Sequence, residues 1–239
     1  MNNLKRMRIN FRKASERVKN MHSDSLKKTQ YINSKEKNAP IVLGEHLLDF
    51  LQSPDFSQAP PVFVCIGSDR VTGDSLGPLI GSRLKKQLGR HFPVYGTLDS
   101  PIHALNLDEA IQNIKKRHSN NTIIAIDASL GTKRHQGYIS IGKGSLLPGA
   151  GVEKKLNAVG DVFITGIINT AGRFAHLALQ TTRLSTVMHL ADCMIDGILL
   201  ACRYYALDTD SLEALWDFED LYSPMTALAP TTGATLDAN

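Results

Sequence analysis

From about residue 40 to residue 207, short apolar runs alternate with apolar stripes at helical spacing. Residues 62–66 (VFVCI) and 122–126 (TIIAI) are nearly continuous apolar runs, as expected of central strands buried on both faces. Shorter runs predict strands at 94–98, 138–141 and 162–168. Leu76, Leu79, Ile80, Leu84 and Leu88 recur at three- and four-residue intervals and predict a helix that stops at Gly89. The same spacing predicts helices around Leu43–Leu51, over 105–114, over 172–180 and over 185–207. In the last of these, Val187, Leu190, Ala191, Met194, Ile198 and Cys202 share one face. Strands alternating with helices predict an α/β fold: a three-layer sandwich around a mostly parallel sheet. Right-handed crossovers then bring the strand ends to one rim.

The ends of the chain look different. Residues 1–38 hold 11 Lys or Arg against three acidic residues, so the extension carries +8, while the other 201 residues carry −4 and the whole chain +4. The expected organisation is a basic, mobile extension over 1–38, an α/β domain over 39–207 and a loose tail over 208–239. Met7, Phe11, Ala14 and Val18 in the extension are spaced for a weak amphipathic helix. Its charge allows contact with nucleic acid or another anionic partner.

Hydrophobic content of 42% and charged content of 21% are ordinary for a folded protein and exclude global disorder. Three cysteines, Cys65, Cys193 and Cys202, show no CxxC spacing and sit in core-type segments. They read as small apolar residues in a reducing compartment. No uninterrupted apolar run approaches the ~20 residues of a membrane span, and residues 187–207 are broken by His189, Asp192, Asp196 and Arg203. The extension has no apolar signal-peptide region, so the expected location is cytoplasmic.

Two aspartates stand where chemistry is expected. Asp127 follows the run 122–126, and Asp74 follows the loop after 62–66. If their strands are neighbours, the carboxylates converge on the rim where open α/β sheets bind ligands. Two close carboxyl groups cannot both ionise cheaply, so one keeps its proton near neutral pH. Such a pair can activate water and polarise a carbonyl, which is peptide hydrolysis. Each residue also has a plain role open to it: Asp74 as the cap of a helix starting at Ser75, Asp127 as a partner of loop amides. Gly67, Gly73 and Gly77 match neither the dinucleotide nor the Walker spacing. Gly67, Ser68, Gly149 and Gly151 are candidates for backbone positioning of a substrate strand. No cofactor is needed for this chemistry. The alternative is a divalent metal held by Asp74, Asp127 and either His135 or His103.

The segments VFVCIGSDRVTGDSLGPLIG (62–81), YGTLDSPIHALNLDEAI (95–111), TIIAIDASLG (122–131), GKGSLLPGAGVEKKL (142–156) and GDVFITGIINTAG (160–172) together resemble the YyaC-type sporulation proteins, a family related to the germination protease of endospore-forming bacteria. The resemblance covers roughly residues 40–205. It implies a phosphorylase/hydrolase-like α/β sandwich, shared with hydrogenase maturation proteases. By motif it carries the germination protease's proposed aspartate pair onto Asp74 and Asp127. It implies a sporulation-associated endopeptidase in a sporulating cell or spore, acting on a peptide or protein such as a spore protein. The maturation proteases imply the nickel alternative, and a non-catalytic spore protein that binds a peptide or protein partner is the rival. Gly73 and Ser68 stand where the germination protease has proline and asparagine.

Overall fold

The computed structural model describes residues 28–149 and 157–208. The predicted helix in the N-terminal extension and the C-terminal tail lie outside the described residues.

The elements run β1 (Gln30–Asn33), α1 (Ala39–Leu51), β2 (Val62–Cys65), α2 (Leu76–Leu88), β3 (Val94–Tyr95), α3 (Leu107–Arg117), β4 (Ile123–Gly131), β5 (Tyr138–Lys143), β6 (Val162–Thr170), α4 (Ala175–Gln180) and α5 (Leu184–Asp208). The strands form one sheet in the order β1-β5-β6-β4-β2-β3. β2, β3, β4 and β6 are parallel, while β5 is antiparallel to both of its neighbours, so the sheet is mixed.

Strand alternation sends side chains to two cores. Phe63, Cys65, Ile124, Ile126 and Ile164 face α1, α2 and α5. Val62, Val64, Ile66, Ile123 and Ala125 face α3 through Leu107, Ile111 and Ile114. The result is the expected three-layer α/β arrangement. Leu43, Leu47, Phe50 and Leu51 of α1 are all buried, each removal from water stabilising by about 1.5–3 kcal/mol.

Two expectations need correction. β1 falls inside the span assigned to the mobile extension. Tyr31 and Ile32 pair with Ser140 and Ile139, so this short segment gains its structure from β5 and not from its own pattern. The strand predicted over 94–98 closes at Tyr95, because at Gly96 (φ +83°) the chain passes so near β2 that a Cβ would lie 1.8 Å from the Cys65 carbonyl oxygen. By length and composition α5 is apolar enough to cross a membrane, its best 18-residue stretch having a mean hydropathy of 1.5. That apolarity has a local explanation: Val187, Leu190, Met194 and Ile198 are buried in the core, while Asp192 pairs with Arg83.

Candidate active site

β2 and β4 are parallel neighbours, with Cys65 opposite Ile126. Beyond β2, the Ile66 amide still donates to the Ile126 carbonyl at 2.7 Å, and then the two chains part. The Gly67 amide turns to the Ile102 carbonyl at 2.8 Å. Gly67 has φ +142°, and a Cβ there would stand 2.1 Å from the Asp74 carbonyl oxygen. A loop follows, closed by the Ser68 amide donating to that same carbonyl at 3.1 Å. Asp74 sits in the 3-10 turn Gly73–Ser75 at the head of α2. The head of α2 is pressed against β2, since a Cβ at Gly77 would lie 2.0 Å from the Ile66 carbonyl oxygen. Close backbone contact on both sides thus fixes where Asp74 stands.

Asp127 does not end its strand. β4 continues to Gly131, because β6 keeps pairing with it as far as Gly131 opposite Thr170. Asp127 therefore lies within the strand, one residue beyond its last partner in β2. The chain leaves β2 towards β3 on one side, and β4 leads on to β5 and β6 on the other. The gap between β2 and β4 is thus a topological switch point, the place in an α/β sheet where ligands bind.

The two carboxyl groups feel each other. Burial raises the pKa of Asp127 well above its ordinary value, the nearby charge of Asp74 raises it further, and the Ala128 amide opposes both. That amide donates to Asp127 Oδ1 at 2.7 Å. Burial also raises Asp74, opposed first by the Ser68 amide and then by the charge of His103. Asp127 is the more deeply buried of the two, and its pKa is pushed up further. Neither the 3-10 turn nor α2 has a side-chain cap bond, so the capping role open to Asp74 is not realised.

The histidines separate. His103 lies beside Asp74 and accepts the Leu105 amide on Nδ1 at 3.3 Å. Asn106 braces its loop, accepting the His103 amide at 2.8 Å and donating to the Pro101 carbonyl at 3.0 Å. His135 is engaged elsewhere. Its ring stacks on Tyr31 with centroids 4.8 Å apart and lies 5.4 Å from Tyr138, on strands at the far edge of the sheet. Among the described residues no three His, Cys, Asp or Glu side chains are grouped to hold a metal ion. Of the two histidines, His135 thus stands apart from the aspartates.

Two of the positioning candidates also take different roles. The amides of Gly67 and Ser68 are spent on Ile102 and Asp74, so they shape the Asp74 loop and are not free for a substrate. Gly149 has φ +102° in the excursion between β5 and β6, and Gly151 lies outside the described residues. That excursion starts at the rim opposite the carboxylates, yet its return limb reaches the first turn of α3, where Asn157 donates to Asp108 at 2.8 Å.

A hydroxyl cluster on the same sheet face was not anticipated from the sequence. Thr165, opposite Asp127 in β6, bonds Ser140 at 2.7 Å and Ser129 at 3.1 Å. The two-residue spacing of Asp127 and Ser129 was a readable signal for part of it.

Residues 31–197 match the family described as "Protein of unknown function (DUF1256)". The chain belongs to this family. The matched span includes both aspartates and His103. The chain is also similar to the Bacillus subtilis (strain 168) protein described as "Uncharacterized protein YyaC", with 49% identity over 144 residues, covering 60% of this chain and 70% of the relative. The resemblance to YyaC-type proteins holds at this level.

Proposed function

We propose that this chain hydrolyses peptide bonds with Asp74 and Asp127. The observation that carries the reading is the carboxyl pair at the β2/β4 switch point, with Asp127 buried and its pKa pushed up by burial and by the charge of Asp74. The Ala128 amide occupies Asp127 Oδ1, so the proton belongs on Oδ2, where it can be donated. Asp74 takes a proton from water, and the hydroxyl attacks the peptide carbonyl carbon. Asp127 Oδ2–H donates to the carbonyl oxygen as its charge develops. Collapse of the tetrahedral intermediate returns the Asp74 proton to the leaving nitrogen, and Asp127 recovers its own from the new carboxyl group. Activity then needs Asp74 ionised and Asp127 protonated, which gives a bell-shaped profile on the acid side of neutrality. By resemblance to the germination protease, the substrates are spore proteins, and the setting is the cytoplasm of a sporulating cell or the spore. Binding a peptide without cutting it is the second reading, favoured by the unpaired part of β4.

The test incubates the purified chain with a spore-protein extract from pH 4 to 8, beside Asp74→Asn and Asp127→Asn. Fragments from the parent and none from either folded variant are expected. A parent chain that cuts nothing at any pH sinks the hydrolytic reading.

A further inference from the structure

The β2/β4 ladder stops at Ile66, whereas β4 pairs with β6 for five residues more, Asp127 to Gly131. Among the described residues β4 has a strand neighbour on one side only along that stretch, and the turn Gly73–Ser75 packs against it. The next rung would use the Ala128 amide, but that N–H is turned to Asp127 Oδ1. The Gly131 carbonyl accepts from Ala171 on the β6 side. Strand alternation therefore turns the Ala128 carbonyl, and both the N–H and the carbonyl of Leu130, to the open side. Ser129, Leu130 and Gly131 are half-buried, so these groups are partly withdrawn from water. Proteins usually blunt such an edge with lysine, proline or a covering element. The stretch DASLG contains neither lysine nor proline, and its one charged residue is Asp127 at its head.

A second observation lies level with the far end of this stretch, on the β6 side. A cavity of about 310 Å³ opens beside the carboxyl end of β6, lined by Asn169, Phe174 and Leu177 among others. Phe174 is 72% exposed and Leu177 54% exposed, large apolar groups standing in solvent. Thr170, which lines the cavity, stands opposite Gly131, and α4, which forms another wall, lies against the Asp74 turn through Leu179 and Gly73. The four steps of strand from Asp127 to Gly131 span about 13 Å.

We propose that an extended peptide adds as a strand to the open edge of β4 and seats an apolar side chain against Phe174 and Leu177. The placing of the cut rests on the proposed function: the bond opposite Asp127 is the one broken, and the apolar anchor stands about four residues from it. Main-chain pairing supplies the affinity, and the cavity supplies the selectivity. The ligand class is thus an unfolded polypeptide segment, recognised mostly by its backbone.

The test is binding, measured apart from cleavage. The probe is fluorescein-labelled, reduced and carboxymethylated casein, titrated by anisotropy with full-length Asp74→Asn chain. Leu130→Pro removes a ladder donor, and Phe174→Asp puts a charge at the cavity mouth. Each is expected to weaken binding at least about tenfold. Should Leu130→Pro fail to fold, Phe174→Asp on the surface still decides. Affinity within about twofold of the parent in the folded variants, or no binding up to about 100 µM, overturns the proposal. Binding that depends on Leu130 and Phe174, without cleavage by the unmodified chain, removes the hydrolytic reading and leaves strand addition standing. Cleavage that is indifferent to both substitutions does the reverse.

Discussion

Replacing Asp127 by asparagine should make the protein more stable at neutral pH, although a buried polar side chain is being changed. An unfolded aspartate titrates near 3.8, whereas burial and the charge of Asp74 hold the folded Asp127 well above that value. Between the two values the folded chain carries a proton that the unfolded chain has lost. Stability therefore falls as pH rises through this window, and the loss is complete once pH exceeds the folded value. One proton of difference gives a slope of up to about 1.4 kcal/mol per pH unit. Asp74 is raised too and adds to the slope in the same direction. Asparagine keeps the carbonyl oxygen that accepts the Ala128 amide and never ionises. Urea unfolding from pH 4 to 8 measures this directly. The parent should lose stability as pH rises, and Asp127→Asn should run flatter and cross above it. Equal slopes in the two proteins, or an Asp127→Asn chain less stable than the parent at pH 8, would refute the claim that Asp127 is held neutral under electrostatic strain.

Other substitutions test the framework around the pair. Gly67→Ala sets a Cβ 2.1 Å from the Asp74 carbonyl at φ +142° and should cost about 3 kcal/mol or more. Gly89→Ala, at φ +58° with nothing within 4 Å, should cost only about 1 kcal/mol, and urea midpoints compare the two. Thr165→Val deletes the hydroxyl that Ser140 and Ser129 share and should cost about 1–3 kcal/mol by thermal unfolding. His103→Gln removes a charge that lowers Asp74, so the acid limb of the cleavage profile should move to higher pH. An unmoved limb would mean that His103 does not act on Asp74.

Local pattern carried the architecture a long way. The runs 62–66 and 122–126 are apolar at every position but Thr122, and the structure buries each on both faces as two central strands. The helical stripe from Leu76 to Leu88 and the capping glycine at 89 survive intact. Asp74 and Asp127 were legible as a pair because each follows such a strand. The length of β4 was not legible. The residues after Asp127 (ASLG) lack the apolar continuity of a buried strand, and only β6 holds them in one. β1 escaped notice for the same reason, since its pairing with β5 joins residues more than a hundred positions apart.

Hydrophobic spacing is a local property, so the sequence by itself determined the central strands, the main helices and how they layer. Which strands are neighbours, and where each ladder stops, depends on backbone pairing between distant segments, and the tertiary structure alone decided that. It drew His103, not His135, to Asp74, because ring stacking with Tyr31 and Tyr138 keeps His135 at the far edge. It spent the Gly67 and Ser68 amides on the Asp74 loop. It raised the pKa of Asp127, because burial is a property of the packed molecule and the charge of a carboxyl group depends on the water left around it.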